Sequence, residues 1–219
     1  MTQLNASIAH IPLPRYMRHL PISDTGYPVP WFCAKVDGKY DIRIADGAKY
    51  ARAVSKKLCW LCGQTLGHHL AFVIGPMCAV NRITSEPPCH RDCAEYAVAA
   101  CPFLTKPRMR RNNVDRPDDA RNPAGIMIDR NPGVCLIWMT RSYTIFRPHA
   151  GNSGMLFRLG KPEALTFYSE GRVATREEIM ASISSGMPLL RREAEVDGPA
   201  AIDDLEFKYR EAMQLLPAA

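Results

Sequence analysis

The sequence has no run of about 18 uninterrupted apolar residues, so nothing in it predicts a membrane-spanning helix. The opening segment MTQLNASIAHIPLPRYMRHLP lacks a long apolar core before a small-residue cleavage site, and no secretory signal is expected from it. There is no internal repeat and no low-complexity tract. A phosphate-cradling glycine loop and a nucleophile elbow are also missing. Asp118-Asp119 and Asp203-Asp204 are adjacent in sequence, so each pair splays apart and reads as solvated surface rather than as a catalytic acid and base. These absences leave the chain without the common signatures of nucleotide hydrolysis or covalent catalysis. An apolar share of 47% with 23% charged residues argues against global disorder, and 219 residues can bury a proper core.

What the chain does have is cysteine. Six of its eight cysteines, Cys59, Cys62, Cys78, Cys89, Cys93 and Cys101, fall within 43 residues, leaving Cys33 and Cys135 as outliers. Without an export signal, such clustering predicts metal binding before disulfides and a cytoplasmic setting.

Cys59-Trp60-Leu61-Cys62-Gly63 reads as a knuckle: two thiolates three residues apart, with a glycine permitting a tight turn beneath an ion. Further on, SEPPCHRDCAEYAVAACP predicts a helix whose first turn is preset by Pro87 and Pro88 and which stops at Pro102. Side chains three apart on a helix share a face, so His90 and Cys93 can reach one ion. The preferred ligand set is Cys59, Cys62, His90 and Cys93 around a structural zinc, with Cys89 in place of His90 as the alternative. Cys78, Cys101, Cys33 and Cys135 read as packing thiols, Cys78 on a hairpin strand. Between the two halves, LGHHLAFVIGPMCAVNRI predicts a hairpin turning near Gly75-Pro76. Knuckle, hairpin, then ligands at a helix start resembles the treble-clef zinc folds over about residues 58–103.

The rest of the chain divides by composition. Residues 1–58 combine a proline-rich extended segment containing YPVPWF, a turn at Asp37-Gly38 and a short helix over 47–58. The metal module spans 59–104, and 105–133 is rich in Pro, Asn, Asp and Arg and predicts a basic loop or linker. Within 134–170, the runs 134–140, 143–147, 155–159 and 164–168 predict one small antiparallel sheet. Within 171–219, Thr175 and Glu178 form a capping box opening a helix that Gly186 and Pro188 should stop. Pro199 opens a second helix, with Ile202, Leu205, Tyr209, Met213 and Leu216 on one face, for packing on the domain or for pairing subunits. The expected class is α+β, with the segments able to pack as one unit.

Three functional readings follow. Lys106, Arg108, Arg110 and Arg111 form a basic strip beside the metal module that suits phosphate contacts, and a net charge of +6 is compatible with a polyanionic partner. The aromatics Trp138, Tyr143, Phe146 and Phe157 would suit base stacking if exposed, but a small sheet needs them for its core. An adaptor or inhibitor that contacts only protein is the second reading. His68-His69, Asn81 and His90 occur in the order of a His-Asn-His nuclease, the third reading. That match is weakened because no acidic residue precedes His68 and because His90 is claimed by the zinc set. Over nearly the whole chain, YPVPWF, CWLCGQTLG, AFVIGPMCAVNR, EPPCHRDCAEYAVAACPFL and EGRVATREE are similar to a family of uncharacterised bacteriophage and prophage proteins. That resemblance implies a bacterial host cytoplasm and an accessory role on nucleic acid or against a host system, and it assigns no catalytic residue. The reading that results is a non-enzymatic, zinc-stabilised binding protein acting on nucleic acid or on a host protein that processes it.

Overall fold

The computed structural model describes residues 3–107, 109, 110, 112, 114, 131–148 and 154–217. An unbroken apolar run is the mark of a strand covered on both faces, and CLIWM is such a run. It forms β5 (Cys135–Thr140), an interior strand of an antiparallel sheet ordered β3 (Leu70–Ile74), β5, β8 (Ala164–Ser169), β9 (Arg172–Val173). Alternation along β3 and β5 divides the core in two. Leu70, Phe72, Ile74, Leu136 and Trp138 face one cluster, and Ala71, Cys135 and Ile137 face the other.

The four strands expected after residue 133 form, but not as one sheet. β6 (Tyr143–Phe146) and β7 (Leu156–Leu159) pair with each other, and β7 pairs with β4 (Ile83–Thr84) to make a second, three-stranded sheet. The chain leaves the first sheet after Thr140, where the Ser142 carbonyl accepts the Gly160 N–H at 2.9 Å. A Cβ on Gly160 would overlap Ser142, so the crossing depends on that glycine. Trp138 and Phe157 are buried, and Trp138 Nε1 donates to the Gly160 carbonyl at 3.0 Å; these aromatics fill the core rather than a stacking surface.

The hairpin expected at Gly75-Pro76 is replaced by a short helix, α2 (Pro76–Asn81). Proline at the first helical position loses no hydrogen bond and has its φ preset for the helix. β3 then pairs with β5, and β4 with β7, so the two strands never meet.

The capping box on α5 (Arg176–Asp197) forms as expected, with the Glu178 N–H donating to Thr175 Oγ1 at 3.3 Å and the Thr175 N–H to Glu178 Oε2 at 2.8 Å. The expected stop does not: α5 continues through Gly186 and Pro188. Gly186 lies where a Cβ would strike Met77 of α2, so it serves close helix packing, and buried Met187 and Ala194 carry the apolar face past the proline. Gly198 then leads into α6 (Pro199–Gln214). The face of α6 offered for subunit pairing is used inside the chain: Leu205 is buried, and Ile202, Tyr209, Met213 and Leu216 pack on the same core. Among the described residues no helix is long and apolar enough to cross a membrane.

Residues before the knuckle wrap the other face. Ile8, Met17 and Leu20 are buried in the cluster that contains Cys59, Cys62 and Cys93. A two-stranded ribbon follows, β1 (Cys33–Val36) and β2 (Lys39–Ala45), turning at Asp37-Gly38 as expected. Next comes α1 (Gly47–Lys56), whose N-cap Asp46 accepts from the N–H groups of Ala48 and Lys49 at 2.9 and 3.0 Å. The chain is a mixed helix and sheet protein around a cysteine-histidine cluster.

Candidate metal centre

The knuckle closes because Gly63 adopts φ +75°, with its N–H on the Cys59 carbonyl at 2.8 Å. That backbone conformation favours glycine, and the space above it is taken by the Trp31 indole, which a Cβ would meet at 2.6 Å. The backbone of Trp31 is in turn held by its amide N–H on the Leu61 carbonyl at 2.8 Å.

The second half of the cluster arrives on α3 (Arg91–Ala100), which the single turn α4 (Pro102–Thr105) follows. Pro87 and Pro88 lie before this helix rather than in its first turn. Cys89 is extended and exchanges both backbone hydrogen bonds with Ala71 of β3, at 2.7 and 2.9 Å, while the Pro88 carbonyl accepts the Trp60 N–H at 3.0 Å. His90 is therefore the N-cap, and Cys93 sits in the first turn. β3 and the knuckle together fix where the helix begins.

This brings Cys59, Cys62, His90 and Cys93 together, with one ligand atom from each and all four within 4.8 Å of one another. His90 Nδ1 lies 3.4 Å from Cys62 Sγ and 3.9 Å from Cys93 Sγ. A tetrahedral site with ordinary metal–sulfur and metal–nitrogen bonds has edges of about 3.5–3.8 Å, and the four atoms lie close enough to hold one ion. The three cysteines are fully buried and His90 is partly so. His90 Nε2 donates to the Thr65 carbonyl at 3.0 Å, which leaves the Nδ1 lone pair facing the sulfurs. The backbone N–H groups of Cys62 and His90 donate to Cys59 Sγ at 3.5 and 3.4 Å.

Proton sharing within the cluster is uneven. Burial pushes the Cys59 thiol up, but hydrogen bonds from Cys62, Cys93 and His90 outweigh it and hold Cys59 well below the ordinary thiol range. Cys93, hydrogen-bonded to Cys59 and Cys62 and buried, is pushed well above it. His90 is raised to about 10, first by its hydrogen bonds to Cys59 and Cys62. The four groups compete for protons in one pocket, and a metal ion bound there would displace the protons they share.

Cys89 stands outside this group. Its Sγ donates to the Ala71 carbonyl at 3.2 Å, and burial pushes its thiol well above the ordinary range. Cys33 and Cys135 are buried thiols, each raised to about 12, chiefly by burial. Cys78 lies on α2 rather than on a strand and is raised to about 11, again chiefly by burial.

Of the nuclease residues, His69 Nδ1 is 2.9 Å from Oε2 of Glu163, whose Oε1 accepts from Arg141 Nε, and Asn81 ends α2. His90 belongs to the cysteine cluster. In the basic strip Lys106 and Arg110 are exposed, while Arg108 and Arg111 lie outside the described residues.

Sequence reasoning missed Tyr16, whose ring stacks on His90 at 4.5 Å between centroids and 13° between planes, with the Arg15 guanidinium 4.5 Å from the Tyr16 centroid. It also missed Trp31 on Gly63 and the Thr65 carbonyl. Contacts made across the fold leave no local pattern, and only the glycine after the second knuckle cysteine hinted at a tight approach. No protein-family model matches the chain, and no curated protein or solved structure is significantly similar to it.

Proposed function

We propose that this protein is a non-enzymatic binding protein whose fold is clamped by one structural zinc, and that its partner is nucleic acid. The observation that carries the reading is the closed Cys59, Cys62, His90 and Cys93 cage, drawn from two segments about 30 residues apart. Three sulfurs and one nitrogen in tetrahedral reach are the donor set that zinc prefers, and four protein ligands leave no coordination position for substrate or water. In this reading the zinc holds the knuckle to α3, as the treble-clef resemblance implies.

Charge supports the choice of partner. Residues 1–110, which contain the cage, carry fourteen Lys and Arg against seven Asp and Glu, whereas 111–219 carry fourteen against fifteen. The whole excess of positive charge thus belongs to the half built around the metal, the footprint expected for phosphate contacts. The same reading makes the chain a phage-type accessory factor in a bacterial cytoplasm, the setting that the resemblance to phage and prophage proteins implies.

The test is retention of labelled oligonucleotide by zinc-loaded protein at low salt, followed over time with magnesium or manganese present. The reading expects binding that weakens steeply with salt and leaves the oligonucleotide intact. Metal-dependent cleavage, or no binding at low salt, would sink it.

A further inference from the structure

Among the described residues the β1–β2 ribbon is a two-stranded sheet that pairs with no other strand. Such a hairpin is marginal alone and normally hides its apolar face. Here Tyr40 is 41% and Ile42 55% exposed, and both project from the same face of β2. Lysines along an edge strand can be explained as protection against strand-to-strand association. Outward tyrosine and isoleucine cannot, since they work against it.

The surroundings of Tyr40 are cationic. Lys35, opposite Tyr40 in the register, places Nζ 4.8 Å from the ring centroid. Lys49 of α1 places its Nζ 5.8 Å away while donating to the Cys33 carbonyl at 2.7 Å. A second aromatic-cation pair continues the surface, with the Arg52 guanidinium 5.8 Å over Trp31. Lys49, Arg52 and Lys56 share one face of α1, a helix that contains no acidic residue, and they span about 10 Å along it. Two of the three nearby carboxylates have internal tasks: Asp41 pairs with Arg43 at 2.6 Å and Asp46 caps α1.

From this juxtaposition we infer that the exposed face of the β1–β2 ribbon, with Tyr40 and Ile42 as its stacking platform and Lys35, Lys39, Arg52 and Lys56 around it, is the binding surface for single-stranded nucleic acid. This rests on the nucleic-acid reading above and gives it a place. An outward tyrosine between ammonium groups suits an unpaired base whose neighbouring phosphates meet the lysines; a duplex, whose bases are already stacked, offers only its phosphates. The cage holds the surface in position through rings: Trp60 of the knuckle stacks on Phe32 at 4.7 Å and meets Tyr50 of α1 edge-on at 5.4 Å.

The experiment is fluorescence anisotropy of zinc-loaded protein with labelled oligo(dT) and oligo(rU) of about 20 nucleotides, each also as a duplex, in a salt series. Tyr40→Ala should weaken single-strand binding about 5- to 100-fold and Tyr40→Phe less than about twofold, because only the first removes the stacking ring. Lys35→Gln with Lys39→Gln should flatten the dependence of log affinity on log salt by about 0.7 for each phosphate that a lysine no longer neutralises. The dT and rU arms show whether the strand is DNA, RNA or either. Wild-type binding that survives both changes overturns this surface while leaving the nucleic-acid reading intact. Duplex bound as tightly as single strand overturns the stacking platform. No oligonucleotide binding by wild type, with or without binding to anionic vesicles, overturns the surface and the nucleic-acid reading together. Circular dichroism and zinc content, unchanged in each variant, keep misfolding from passing as a binding defect.

Discussion

Replacing Gly63 with alanine tests how the knuckle is built. The change adds one methyl group at a residue with φ +75°, where a side chain costs about 1–2 kcal/mol in backbone strain. The methyl also meets Trp31 Cγ at 2.6 Å and Cδ1 and Cδ2 at 2.7 Å. These are the ring atoms nearest the backbone, and the Trp31 backbone N–H is tied to the Leu61 carbonyl, so the methyl meets the root of a side chain whose backbone is pinned and not its far end. Overpacking of that kind adds about 1–3 kcal/mol, for a total of about 2–5 kcal/mol. In a chain of this length that lowers the melting temperature by about 4–20 °C. The assay is thermal and urea unfolding of zinc-loaded wild type, Gly63→Ala, Trp31→Ala and the double variant. In the Trp31→Ala background the alanine should cost only the backbone part, leaving a coupling of about 1–3 kcal/mol between the two sites. A Gly63→Ala protein that melts with wild type, or one that loses the same amount in both backgrounds, refutes the packing argument.

Further outcomes follow from single contacts. Cys89→Ser should keep one metal per chain, because Cys89 bonds to Ala71 rather than to the cage, whereas Cys93→Ser should lose it; metal analysis of the two purified variants decides. Pro188→Ala replaces an exposed proline inside α5 and should stabilise the protein by about 1–3 kcal/mol, read from urea midpoints. Thr175→Ala removes the acceptor for the Glu178 N–H and should cost about 1 kcal/mol in the same assay. Glu178 is held down at about 2, first by Arg172 and then by the Thr175 N–H. A carboxylate lowered in the fold adds stability above its unfolded value and loses it as pH falls toward the folded one. The gap between wild type and Glu178→Gln should therefore be constant above about pH 4.5 and shrink between there and pH 2, and a gap independent of pH would contradict it.

The parts of this fold that were legible in the sequence are those with local causes. The knuckle glycine, the capping box at Thr175 and Glu178, Pro199 at the start of α6 and the alternating strands each follow from chemistry within a few residues. Pairing did not follow, because Tyr143–Phe146 and Leu156–Leu159 have the same apolar pattern whichever sheet they join, and the crossover at Ser142 and Gly160 is a long-range contact. Besides Pro87 and Pro88, which precede α3 rather than open it, prolines misled twice through position. Pro76 opens a helix where a turn was expected, and Pro188 sits inside one where a stop was expected. The packing of Met77 on Gly186 and of Met187 and Ala194 on the core decided the second case, and none of it is visible locally. At the cage, spacing alone left His90 and Cys89 as alternatives. β3 separated them by pairing with Cys89 and turning its thiol toward Ala71.

Metal analysis of purified, reduced protein, followed by unfolding in a strong chelator, bears most directly on the whole account. One zinc per chain, bound through three sulfurs and one nitrogen, with loss of cooperative folding on its removal, is the predicted result. Protein that carries no stoichiometric zinc, or that melts unchanged after chelation, contradicts the structural cage and the binding surface it supports.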